Sequence, residues 1–170
     1  MKKGILIVAV IIAFAIQASG QAYEISRDRN GSKVLKGIIY RSDLTSDTAF
    51  SWFGENQAGY KPYADAVTAL KNKKDSIQLI AFSGTWCGDS KFVIPKFFVL
   101  LDSASFPQER LTLIGVDRNK TTTSHLAEAF NITGIPTLIV MKNGKEIGRV
   151  VEYGKFGMFD KELGDIIRNN

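Results

Sequence analysis

From Pro62 onward the apolar positions follow two rhythms. Tyr63, Ala66, Val67 and Leu70 stand at i, i+3, i+4 and i+7, the spacing of one helix face, and Pro62 suits a helix start. Residues 77–82 form a short, nearly continuous apolar run that reads as a buried strand. Residues 91–101 return to helical spacing through Ile94, Phe97, Phe98 and Leu101, with Pro95 inside as a predicted kink. A second buried strand is predicted over residues 111–116 and a short helix over 124–130. Residues 137–141 and 146–151 read as strands around Asn143-Gly144, a pair suited to a tight hairpin turn. Phe156, Phe159, Leu163 and Ile167 line a final amphipathic helix.

Ahead of this lies a different segment. Residues 23–26 and 34–40 have strand character and flank Asn30-Gly31, a second hairpin signal. Residues 43–56 are aromatic-rich through Phe50, Trp52 and Phe53 and are predicted to be helical, packing this segment onto the rest. There are no repeats and no low-complexity linker. The order from Pro62 is helix, strand, helix, strand, helix, strand, strand, helix. A βαβ unit followed by a hairpin and a helix gives an α/β fold, a mixed sheet with helices on both faces.

The first residues are set aside from the fold. Lys2 and Lys3 precede an unbroken apolar run over residues 5–16, and Ala18-Ser19-Gly20 follows. This is the three-part pattern of a secretory signal peptide, and the run is short for a membrane span. The chain is therefore read as residues 1–20 signal peptide, 21–60 extension and 61–170 main domain. The product would be exported, with no stable membrane span after cleavage and an uncleaved anchor as the other reading. Removing residues 1–20 takes Lys2 and Lys3 and no acid, leaving 20 basic and 17 acidic residues and a charge of +3. That balance, evenly scattered, gives no electrostatic footprint for nucleic acid.

Cys87 is the only cysteine among 170 residues, so no internal disulfide can form. A lone cysteine in an exported chain is either buried and inert or a reactive thiol. Gly84-Thr85-Trp86-Cys87-Gly88-Asp89-Ser90 falls where a predicted strand ends and a helix begins. Amides at a helix start lack internal partners, and the macrodipole places partial positive charge there, which favours a thiolate. The Ser90 hydroxyl either adds a hydrogen bond to that sulfur or serves as an ordinary helix-start residue. Asp89 opposes a thiolate if ionised and close, and equally suits the first helical turn. His125, the only histidine, has no triad partner or metal-ligand spacing around it. No phosphate loop, metal-ligand cluster or paired carboxylate site is spaced along the chain, and no metal or cofactor is expected.

Trp86-Cys87-Gly88-Asp89-Ser90 resembles the thioredoxin motif Trp-Cys-Gly-Pro-Cys with two changes. Pro95, eight residues after the cysteine, matches the proline of the family's active-site helix. Thr133-Gly134-Ile135-Pro136-Thr137 resembles the loop that holds its cis-proline, and Asn143-Gly144-Lys145 followed by Gly154 resembles its last hairpin. Val116-Asp117-Arg118-Asn119 is similar to the end of the preceding strand. The resemblance spans residues 77–168 and implies a thioredoxin fold behind an N-terminal β-hairpin and helical extension. The exported layout is similar to that of periplasmic thioredoxin-like proteins of bacteria.

The resemblance implies that Cys87 and Ser90 occupy the catalytic positions, and that Trp86, Gly88, Asp89, Ile135 and Pro136 border the substrate. Ile135 would offer its backbone to an extended partner strand. The departures are equally specific. Ser90 stands where the resolving cysteine would be, and Ala81 and Leu113 stand where the family keeps a buried acid and its lysine. A buried acid with no task would only cost desolvation. Two functions remain open. One is a monothiol oxidoreductase or isomerase exchanging disulfides with protein or small-molecule thiols through Cys87. The other is a redox-inactive binding module that holds partner peptides in the cis-proline groove. Oligomeric state is not legible.

Overall fold

A computed structural model describes residues 22–170, so residues 1–20, read above as a signal peptide, lie outside the described residues. The strands are β1 (Tyr23–Arg27), β2 (Lys33–Ile39), β3 (Ile77–Ser83), β4 (Leu111–Gly115), β5 (Thr137–Lys142) and β6 (Lys145–Val151). The helices are α1 (Arg41–Thr45), α2 (Trp52–Glu55), α3 (Ala64–Lys73), α4 (Gly88–Ser103), α5 (Leu126–Ala129) and α6 (Phe159–Arg168). The strands form one sheet in the order β1-β2-β4-β3-β5-β6. β3 and β4 run parallel, as a βαβ crossover through α4 requires, and the other neighbours pair antiparallel.

Alternation along β3 divides the core between the two faces of the sheet. Leu79 and Ala81 join a large cluster with Ala66 and Leu70 of α3, Phe97 of α4 and Leu163 of α6. Phe82 points the other way, into a smaller cluster with Ile114, Ile139 and Ala127 of α5. The N-terminal hairpin joins the same sheet through antiparallel pairing of β2 with β4. Phe53 of α2 meets Phe98 of α4 edge-on at 5.5 Å, closing the extension over the large cluster.

Several elements differ from the sequence reading. The helix predicted over residues 43–56 is three short pieces: α1, a 3-10 turn over Thr48–Phe50, and α2. Asp47 explains the break, because its extended backbone and its bond from the Ala49 amide start a new turn. α3 begins at Ala64 rather than Pro62, and Tyr63 is exposed while Ala69 is buried. The short helix over 124–130 is interrupted by Ser124 and His125, both left-handed, so only Leu126–Ala129 is α-helical. Phe156 does not line α6: it is 89% exposed, in a loop where Gly154 and Gly157 take positive φ.

The two hairpin signals resolve differently. Lys142 pairs with Lys145, leaving Asn143 and Gly144 as a two-residue turn with φ of 51° and 74°. The first hairpin closes around residues 28–32, with Asp28 accepting from the Asn30 and Ser32 amides.

Candidate active site

β3 ends at Ser83, and Cys87 is the N-cap of α4, with φ −88° and ψ 130°. The turn between them is closed by the Cys87 amide donating to Gly84 O at 2.9 Å, and the helix opens with Lys91 N–H on Cys87 O at 3.0 Å. The predicted helix gains its first turn from Gly88-Asp89-Ser90, so the motif residues are helical rather than a preceding loop.

Cys87 is half-buried, and its Sγ lies 3.7 Å from Ile135 O. That carbonyl precedes a cis Ile135–Pro136 peptide bond. Two chain segments 48 residues apart thus meet at the sulfur. Pro136 O in turn accepts the Glu152 amide at 2.6 Å, fixing the loop to the residue just after β6.

Trp86 donates its indole N–H to Val116 O at 2.9 Å, beyond the end of β4, and its ring packs with Ile135 in the smaller cluster. Ser90 is fully buried and its hydroxyl oxygen accepts the Gly84 amide at 3.1 Å. Gly88 is exposed at the helix start. Asp89 accepts a hydrogen bond from the Tyr153 hydroxyl at 2.8 Å. That bond, followed by burial and the nearby acidic charge, pushes the Tyr153 phenol above its ordinary value. Tyr153 also packs on Phe92 at 5.4 Å, so an aromatic pair flanks the first turn of α4.

The structure brings Trp86, Cys87, Gly88, Asp89 and Ser90 together with Ile135 and Pro136 at one end of the sheet. Ala81 and Leu113 are register partners across β3 and β4 and both are buried, so the place of the missing acid and lysine is apolar. His125 lies elsewhere with a fully solvated ring, 3.6 Å from Glu128. Among the described residues no group of acids, histidines and cysteine is arranged to hold a metal ion, and no helix is long and apolar enough to cross a membrane.

Sequence reasoning missed three neighbours. Tyr153 carries no motif signal, because only the fold brings the end of β6 to α4. Arg118 lay within a noted motif, but its guanidinium stacking on Trp86 at 4.7 Å depends on tertiary structure. Thr85 anchors the site loop to the extension, donating to Lys33 O at 2.7 Å and accepting the Leu35 amide at 3.3 Å.

The family profile described as Thioredoxin matches residues 62–161. A thioredoxin of Echinococcus granulosus is 36% identical over 86 residues, covering 51% of this chain and 75% of that one. A thioredoxin of Chlamydia pneumoniae is 36% identical over 85 residues, covering 50% and 72% respectively. The crystal structure of the reduced Schistosoma mansoni thioredoxin pre-protein is 26% identical, covers 65% of this chain and 93% of its own, and superposes with a TM-score of 0.42.

Proposed function

Because the chain belongs to the thioredoxin family, we propose that it is a thiol–disulfide exchange protein working through a single thiol, Cys87. The observation that carries this reading is the placement of Cys87: half-exposed, at the start of α4, with its sulfur beside the Ile135 carbonyl. The Cys87 thiolate attacks one sulfur of a substrate disulfide. A new Cys87–substrate S–S bond forms, the substrate bond breaks, and the departing thiolate takes a proton from water.

Ser90 has no sulfur with which to undo that adduct. A substrate thiol then attacks the substrate sulfur of the mixed disulfide, giving isomerisation and freeing Cys87. Alternatively a small thiol does so, and a second small thiol completes reduction of the substrate with release of the oxidised small thiol. Substrates are exported proteins or small thiols, consistent with the leader pattern of residues 1–20.

The test is adduct formation. The full chain, offered a peptide disulfide without other thiols, should accumulate a Cys87 mixed disulfide visible by mass spectrometry. Glutathione should discharge it and support slow turnover, and Cys87→Ser should form none. If Cys87→Ser captures the same partners with undiminished affinity, the binding-module reading replaces this one.

A further inference from the structure

The N-terminal hairpin is fastened to the loop that carries the thiol. Thr85, two residues before Cys87, bonds both Lys33 and Leu35 of β2. Arg118 donates to the Asp28 carboxylate through Nε at 2.9 Å while its guanidinium covers the Trp86 ring. Between the hairpin loop and residues 117–119 lies an open cavity of about 590 Å³, lined by Arg27, Asp28, Arg29, Asp117, Arg118 and Asn119, with other residues. Arg118 in its wall stacks on Trp86, the residue before Cys87.

The acids in its wall are already occupied. Asp28 accepts the amides of Asn30 and Ser32 on one oxygen and Arg118 on the other. Asp117 accepts the amides of Asn119 and Thr121 on one oxygen, and the Thr121 hydroxyl and Lys36 on the other. Arg118 is held by Asp28, but the other two arginines of the wall have no such partner among the described residues. Arg27 donates to a neutral carbonyl, Gly31 O, and neither Arg27 nor Arg29 pairs with a carboxylate among the described residues. Both are exposed. Guanidinium forks of this kind match carboxylates in two-point geometry.

We propose that this cavity is a carboxylate-binding subsite for the disulfide substrate, with Arg27 and Arg29 engaging anionic groups near the sulfur that Cys87 attacks. It deepens the exchange reading and rests on it. The carboxylates come either from a glutathionyl group or from acidic side chains of a peptide.

The test compares rates of mixed-disulfide formation with matched 2-pyridyl disulfide probes on the full chain. One pair is glutathione against its carboxyl diester; the other is an acidic cysteine peptide against its Asn/Gln counterpart. The anionic member should react about tenfold faster at low salt, and the ratio should shrink as ionic strength reaches about 0.15 M. Arg27→Ser with Arg29→Ser should drive the ratio toward one. Arg29→Ser alone, which removes no bond among the described residues, should lower it about threefold even if the double variant unsettles the hairpin loop. The pair with the larger ratio identifies the source of the carboxylate. A ratio of about one for both pairs in the unaltered chain overturns the subsite and leaves exchange standing. Independently, S-methylglutathione or the S-methylated acidic peptide should bind Cys87→Ser protein saturably, and lose affinity on Arg29→Ser. No saturable binding of either overturns the subsite whatever Cys87 reacts with. Absence of adducts with every probe sinks the exchange chemistry instead, and the titration tells the two failures apart.

Discussion

The Ser90 hydroxyl oxygen accepts the Gly84 amide at 3.1 Å, so the residue standing in place of a second thiol ties α4 back to the end of β3. Ser90 is fully buried and Gly84 is buried beside it. Ser90→Ala leaves that amide without its partner, at a cost of about 1–3 kcal/mol. Urea unfolding should show the midpoint falling with an unchanged slope. An unchanged midpoint would mean that the hydroxyl does not hold the turn.

Gly164 separates two effects that oppose each other. In a helix interior, Gly to Ala ordinarily stabilises by about 1 kcal/mol. Here a Cβ on Gly164 would lie 2.6 Å from the Ala66 Cα, a backbone atom of α3. The helices would have to part, and overpacking of this kind costs about 1–3 kcal/mol. Gly164→Ala should therefore lower the thermal midpoint, and a rise would show that α3 and α6 yield without loss.

Asp47 gives the extension a dependence on pH. Its bond from Lys33 at 2.5 Å, then that from the Ala49 amide, hold its carboxyl below the ordinary carboxylate value against the opposing effect of burial. A depressed folded value binds fewer protons than the unfolded chain does. The stabilisation is thus fully present above the ordinary value of about 3.9 and is lost as pH falls through the folded one. The difference in urea midpoint between the native chain and Asp47→Asn should be constant near neutrality and close below about pH 4. A difference that persists unchanged into strong acid would refute the assignment.

Much of this was legible from pattern alone. β3, β4 and β5 follow short apolar runs, and the Asn143-Gly144 turn, which places β6 beside β5, needed nothing but its residue types. Cys87 at a strand-to-helix junction was readable for the same reason. What was not legible depends on distant partners. Aromatic content over residues 43–56 looks helical, yet the Asp47 side chain offers the backbone a competing bond and breaks the run. Phe156 fits the spacing of α6, but Gly157 lies between it and the helix in a left-handed conformation. Ser90 and Asp89 were readable as helix-start residues, while their partners Gly84 and Tyr153 were not, because a bond between residues 89 and 153 leaves no local periodicity.

Placing a thiol at position 90 tests the proposal that Cys87 works alone for want of a second thiol. Ser90→Cys places a sulfur where the hydroxyl now sits, on the first turn of the helix that Cys87 caps. A neighbouring thiol can attack a Cys87 mixed disulfide, forming an internal disulfide between Cys87 and position 90 and releasing the substrate as a thiol. Adducts that persist in the native chain should therefore discharge without added glutathione, and insulin reduction driven by a dithiol reductant should rise. The gain should be incomplete, because Ala81 and Leu113 face each other across β3 and β4 with no ionisable group to help the buried sulfur lose its proton. Sulfur is also a weak acceptor for the Gly84 amide, so the variant should unfold at lower urea. Time courses on non-reducing gels, with and without glutathione, measure the discharge directly. If adducts of the Ser90→Cys protein last as long as those of the native chain, position 90 cannot reach the Cys87 sulfur, and the absence of a resolving thiol is not what makes Cys87 work alone.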